Sequence, residues 1–344
     1  MRGETIVWDG ERVFSGTIWS ASQSPHSPIR TLVKVIPEVE RFLNMIQQRG
    51  WAGRIVPLDH LPDLGEAIRS RYEHGLIDEV LYRAQLTSFS FDRPSDLAAA
   101  RSMIIVAVPT PQMRIIFHWQ GEGVPIVVPP TYVSYTPRTE SVQAVLAGWL
   151  HNEGYHLAKP RLPLKTLAVR SGLADYGRNN ISYVPGMGSF LQLVGAFSDL
   201  PPDGDPWREP KKLDRCKSCV ACLRLCPTGA ITGDRFLLHA ERCLTYHNEA
   251  TGDFPDWIDP SWHHCLIGCL RCQTACPENK AVLEWFEDRA EFSEQETALF
   301  IRHVPLDRLP AKTRDKIKAL EINEDYRLLC RNLYMVIGRE DWGR

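Results

Sequence analysis

Nine of the ten cysteines in this chain lie between Cys216 and Cys276. The first run reads Cys216-x2-Cys219-x2-Cys222-x3-Cys226-Pro227, and the last reads Cys269-x2-Cys272-x3-Cys276-Pro277. Two residues between thiolates let a tight loop wrap an iron–sulfur cubane. The three-residue step then carries the chain to a second cubane, so three close cysteines serve one cluster and the fourth reaches the other. The proline after each run has no N–H and a fixed φ, which suits a sharp exit. The chemistry this spacing implies is electron transfer through two [4Fe–4S] clusters.

Bacterial ferredoxins carry this pattern. Each cluster takes four ligands, and seven are clear: Cys216, Cys219, Cys222, Cys226, Cys269, Cys272 and Cys276. A perfect repeat would put the last at position 266, which is Leu266. Either Cys243 or Cys265 replaces it, with Cys243 preferred. The crossing rule then gives one set of Cys216, Cys219, Cys222 and Cys276, and another of Cys226, Cys243, Cys269 and Cys272. Structural zinc would use paired knuckles rather than a triplet followed by Cys-Pro. Disulfides call for an oxidising compartment, and Met1 to Gly10 has no apolar signal-peptide region. Cys265-x3-Cys269-x2-Cys272 has radical-SAM spacing, but too little chain follows it to build a large barrel. Cys330 reads as a buried apolar residue on a helix.

Stepping from ligands to scaffold, 344 residues far exceed what two clusters need. Two or more domains follow. Hydrophobic content of 44% and charged content of 24% are those of an ordinary globular protein. No apolar run is long enough to span a membrane, so the chain reads as cytoplasmic. A net charge of −2 without a long basic tract argues against nucleic acid as a partner. Lys211, Lys212, Arg215, Lys217 and Arg224 crowd the first cysteine run. They either offset cluster charge or dock a donor such as flavodoxin or ferredoxin.

The periodicity predicts a polar arm over 1–30 and an amphipathic helix from Thr31 to Gly50, with Phe42 and Ile46 on its apolar face. Residues 60–84 read as helical, and Ser95 caps a short helix to Ala100. Met103–Val108 is a buried strand, and Ile115–Phe117 pairs with Ile126–Val128 around Gly121–Gly123. Helices follow over Glu140–Asn152 and Pro163–Ser171, then a Gly- and Asn-rich loop over 172–180 and a strand within Gly188–Leu200. Residues 201–206 form a linker. Helices are predicted over 280–290 and 294–337. No G-x-G-x-x-G follows a strand and no phosphate-binding P-loop exists, so a nucleotide site is unsupported.

Three stretches resemble the epoxyqueuosine reductase family and, more distantly, the cobalamin-dependent reductive dehalogenases. They are Leu167–Leu173 with Gly177-Arg178-Asn179-Asn180, then Gly188-Ser189-Phe190 to Asp199-Leu200-Pro201, and finally Cys216–Pro227 with Arg242-Cys243 and Gly268–Pro277. The resemblance spans about 95–280. It implies an α+β fold: a nitroreductase-like α/β domain that binds cobalamin (1–205), a bacterial-ferredoxin-like double-cluster domain (206–285) and a small helical C-terminal cap (286–344). It also implies cofactor contacts from Gly172, Leu173, Gly177, Arg178, Asn179 and Asn180, and it supports Cys243 as a ligand. The chain lacks Asp-x-His-x-x-Gly, so any corrin would be base-off, without a protein ligand to cobalt.

The family's tRNA-modifying members carry an Asp-Tyr-His segment whose acid looks like the proton donor. Here the region reads Pro129-Pro130-Thr131-Tyr132-Val133-Ser134-Tyr135, so Tyr132 or Tyr135 takes that role. With this loss, and a chain stopping at Arg344 after one helical cap, the expectation is an oxygen-sensitive reductase of a small substrate, with nucleic acid an unlikely partner. The alternatives are a non-catalytic electron-transfer module, a cobalamin reductive activator serving another enzyme, and a tRNA epoxyqueuosine reductase.

Overall fold

The computed structural model describes residues 37–322 and 325–338. The predicted arm and the start of the first helix, Thr31–Ile36, lie outside these residues. The described elements mix helix and strand. The helices are α1 (Glu38–Gln48), α2 (Leu61–Glu73), α3 (Glu79–Gln85), α4 (Tyr135–Asn152), α5 (Leu164–Arg170), α6 (Ala221–Leu225), α7 (Leu244–Glu249), α8 (Arg271–Thr274), α9 (Glu294–Ile301), α10 (Ala311–Ala319) and α11 (Tyr326–Leu333). The strands are β1 (Ala52–Pro57), β2 (Ser102–Pro109), β3 (Gln112–Trp119), β4 (Glu122–Val128), β5 (Leu157–Ala158), β6 (Asp175–Tyr176), β7 (Ser182–Tyr183), β8 (Leu191–Ser198) and β9 (Phe286–Phe292).

The β-branched run of β2 lies at the middle of an antiparallel sheet ordered β1-β2-β8-β5. Successive side chains of a strand point to opposite faces, and both faces here are covered. Ile104, Val106 and Val108 meet Phe42 and Ile46 of α1 and Leu146 and Leu150 of α4. Met103, Ile105 and Ala107 meet Leu61 and Leu64 of α2 and Leu167 and Ala168 of α5. That double coverage explains why the run is continuously apolar rather than alternating.

The second sheet is ordered β4-β3-β9. The β3–β4 hairpin forms where the β-branched residues predict it, and its turn takes positive φ at Gln120 and Gly121. Residues 280–290, predicted helical, instead pass through turns into β9, which pairs in parallel with β3. Charged residues of β9 are cross-strand partners, with Asp288 taking Arg114 at 2.6 Å and Glu291 taking His118 at 2.5 Å. The short helix expected over Ser95–Ala100 is a series of turns, because so few residues cannot repay helix nucleation and Arg93 ties Ala100 O at 3.2 Å. The helical stretch over 60–84 is cut at Gly75, with φ 67, and restarts where the Asp78 side chain accepts from Leu81 N at 2.9 Å.

Candidate double-cluster site

The first cysteine run is folded by short local devices. Cys216 and Cys219 N–H groups bond to Leu213 O and Arg215 O, and α6 carries Cys222. Cys226 ends that helix in an extended conformation, as the following proline requires. Cys276 likewise precedes a turn opened by Pro277. Cys216, Cys219, Cys222 and Cys276 come together on the wall of one pocket, which Gly177, Arg178, Asn179 and Tyr183 also line. Burial and the neighbouring Cys216, Cys276 and Cys219 push the Cys222 thiol up to about 11. Thiols so placed resist ionising next to one another, and a cationic iron core supplies the missing positive charge.

The second quartet is Cys226, Cys243, Cys269 and Cys272. Burial, with Cys243 and Cys226 close by, pushes Cys269 up to about 12. Burial, Cys269 and Cys243 likewise raise Cys272 well above the usual thiol range. Cys265 lies apart: it is fully buried in an apolar cluster with Phe190 and Leu270, and of the cysteines only Cys269 acts on it. Among the described residues no three His, Cys, Asp or Glu side chains converge on a point suited to a single metal ion. The thiols instead surround a volume, and a donor set of four sulfurs fits [4Fe–4S].

The 172–180 loop sits differently from the corrin contact that the resemblance implied. Gly172, with φ 75, and Leu173 close the end of α5. Arg178 donates to Cys216 O, and to Cys219 O at 3.2 Å. Asn179 donates to Tyr183 Oη at 3.0 Å and to Cys272 O at 3.4 Å. Asn180 donates to Phe236 O at 2.8 Å and accepts from Leu238 N. A side chain on Gly177 would meet the Tyr183 ring at 2.6 Å, so only glycine lets the loop close. The polar groups of this loop are committed to cluster-loop and neighbouring backbone, and to one another, rather than presented to a corrin. These residues do not fit as a cobalamin cradle.

Sequence reasoning missed Lys165. On α5 it keeps an exposed side chain, yet the surrounding protein lowers its pKa by desolvation, opposed by Cys243 and Glu249. Tyr132, in the turn before α4, donates to Glu249, and its ring lies over Gly268, the residue before Cys269. Lys165, Glu249 and Tyr132 therefore gather beside the second quartet. The only sequence signal for Lys165 was one charge in the otherwise apolar Leu164–Val169 stretch. Tyr135 opens α4, 39% exposed. The basic residues around the first run are largely paired: Lys211 with Asp175 at 3.4 Å, Lys217 with Asp214 at 2.7 Å and Arg215 with Glu278 at 2.6 Å. Lys212 lies over the Phe236 ring.

Residues 215–279 match the 4Fe-4S double cluster binding domain. The epoxyqueuosine reductase of Bacillus subtilis (strain 168) is 34% identical over 116 residues, which are 34% of this chain and 29% of that protein. The fold matches epoxyqueuosine reductase from Streptococcus thermophilus with a TM-score of 0.62 at 18% identity, over 86% of this chain and 79% of that one. It also matches an epoxyqueuosine reductase solved with an epoxyqueuosine-modified tRNA-Tyr stem loop, with a TM-score of 0.63 at 20% identity, over 86% and 80%. The chain is similar to epoxyqueuosine reductases in part of its sequence and in fold. The double-cluster match spans both cysteine quartets of this epoxyqueuosine reductase-like chain, while the sequence match spans less than a third of the Bacillus relative. The expectation that nucleic acid is an unlikely partner gains no support from a fold shared with a tRNA-bound enzyme. Among the described residues no helix is long and apolar enough to cross a membrane.

Proposed function

We propose that the chain is an iron–sulfur oxidoreductase that passes electrons through two [4Fe–4S] clusters to a substrate bound beside Lys165, Glu249 and Tyr132. In this reading Cys216, Cys219, Cys222 and Cys276 hold one cluster, and Cys226, Cys243, Cys269 and Cys272 hold the other. The observation that carries it is the gathering of the eight thiols into two groups, with Lys165, Glu249 and Tyr132 beside Cys243 and Gly268. Each cluster supplies one electron at a time, and the sulfur ligands keep the irons within the protein. A low-potential carrier such as flavodoxin or ferredoxin is the donor, and the cytoplasm is the compartment. Tyr132 and Glu249 are the proton-donating pair: the phenolic proton is shared with Glu249, and Lys165 beside Glu249 offsets the negative charge left on the pair when a proton passes to substrate. The cobalamin implied by resemblance is not fitted by the 172–180 loop, and no step here runs through it.

The test is anaerobic reconstitution with iron and sulfide, followed by metal analysis and reductant-driven turnover. About eight irons per chain are expected. Tyr132→Phe should lower turnover on the order of 10²-fold while leaving the iron content unchanged. Zinc, or about four irons, would overturn the reading. Adding hydroxocobalamin to the same reconstitution shows whether a corrin co-elutes in stoichiometric amount.

A second reading makes the substrate epoxyqueuosine in a tRNA stem loop rather than a small molecule. It is favoured by the likeness to epoxyqueuosine reductases in both sequence and fold. Conversion of the epoxide in a modified tRNA-Tyr stem loop by the reduced protein decides between the two substrates.

A further inference from the structure

The Gly177–Tyr183 ribbon meets the first quartet with more than backbone contacts. Tyr183 is 2% exposed and lines the same pocket as Cys276, with its hydroxyl placed to favour the ionised form of that thiol. A phenol has one proton and two lone pairs. Asn179 Nδ2 donates to the Tyr183 oxygen at 3.0 Å, which occupies a lone pair. The orientation of that amide is set by its other end, since Asn179 Oδ1 accepts from Ile181 N at 3.3 Å. The phenolic proton is thereby left for sulfur. Arg178 adds a fixed positive charge on the same wall, through its bonds to Cys216 O and Cys219 O.

Hydrogen bonds to cluster sulfurs and nearby positive charge both favour the reduced, more negative cluster. We propose that Tyr183, aimed by Asn179 and assisted by Arg178, is a tuning residue that raises the reduction potential of the cluster held by Cys216, Cys219, Cys222 and Cys276. Asn179 also reaches the second quartet, at Cys272 O at 3.4 Å and at the Cys272 side chain, whereas the phenolic proton is directed at Cys276. The phenol therefore acts chiefly on the first cluster and separates the two in potential. The inference rests on the proposed ligand assignment, with Cys276 in the first cluster.

The experiment is an anaerobic redox titration of the reconstituted full chain, followed by electron paramagnetic resonance, comparing wild type with Tyr183→Phe. This substitution removes only the hydroxyl and keeps the ring packed against Gly177. The expected result is an about tenfold loss in the reduction equilibrium of one cluster, equivalent to about 59 mV for a one-electron couple, with the other unchanged. Identical potentials in the two proteins overturn the tuning role while leaving the two-cluster reading intact. A wild type without about eight irons fails that reading instead. Should Tyr183→Phe not load its first cluster, wild type exchanged into D2O carries the test. A deuteron strongly coupled to the reduced first cluster is then expected, and its absence overturns the proposal.

Discussion

Cys243 and Cys265 are both shielded from water, and what separates them is company. Cys243 has Cys226 beside it, and the backbone N–H groups of Thr245 and Tyr246 at the start of α7 bond to its sulfur. N–H groups at a sulfur stabilise a thiolate. Cys265 is enclosed by apolar Phe190 and Leu270 and has one N–H, that of Leu270, at its sulfur, so burial dominates and favours a neutral thiol. Cys243→Ser should therefore lose about half the iron and one of two cluster signals, whereas Cys265→Ala should keep both. Iron analysis and electron paramagnetic resonance of the two variants check this, and iron loss in Cys265→Ala alone would reverse the assignment. At this scale the sequence shows the cysteines plainly, because ligand spacing is local. Lys165 and Tyr183 were not legible, since each acquires its role from residues far along the chain that only folding brings near.

Among the elements, the strands made of apolar runs were read correctly and the charged one was not. Met103–Val108 and the β3–β4 hairpin are apolar runs with few competing interpretations. Phe286–Phe292 carries four charged residues and becomes a strand only because β3 offers it a partner. The start of α4 at Tyr135 was missed for another reason: Pro137 is tolerated in a first helical turn and conceals the continuation. The linker over 201–206 is less plain than its composition suggests. His60, where α2 begins, bonds Asp63 at 2.9 Å and Asp205 at 2.8 Å, and stacks on Trp207 at 4.4 Å. Burial disfavours the imidazolium, but the two carboxylates outweigh it, so the His60 pKa is raised above 6.5. A raised folded pKa means stabilisation that is full below the unfolded value and lost as pH rises through the folded one. The partners are half exposed, which keeps the effect small. His60→Gln should lower the melting temperature at about pH 6 and have little effect at about pH 9. Equal losses at both pH values would refute a charged clasp.

Across the whole of the described chain, the C-terminal helices are tied to the cysteine loops rather than merely laid over the β3–β4 hairpin. Asn332 on α11 is fully buried and donates to Asn248 O at 2.9 Å and to Leu266 O at 3.0 Å. Asn248, also fully buried, donates to Gly268 O at 2.7 Å, one residue before Cys269. Arg331 grips the adjoining loop through His247 O at 2.9 Å and Ala250 O at 2.8 Å, with its guanidinium 4.0 Å from the Phe254 ring centroid. A path of buried amides thus runs from the last described helix to the turn presenting Cys269, and the cap acts on the second quartet more than the first. Asn332→Ala leaves two buried carbonyls without a donor, a cost of about 1–3 kcal/mol, and loosens that turn. The melting temperature should fall by a few degrees. Iron from the second cluster should be lost to a chelator faster than in wild type, with loss from the first unchanged. Lys312→Ala, on the exposed side of α10, serves as the control with both rates unchanged. If Asn332→Ala lowers the melting temperature but both clusters release iron at wild-type rates, the helices stabilise the hairpin core alone and the amide path does not hold the metal.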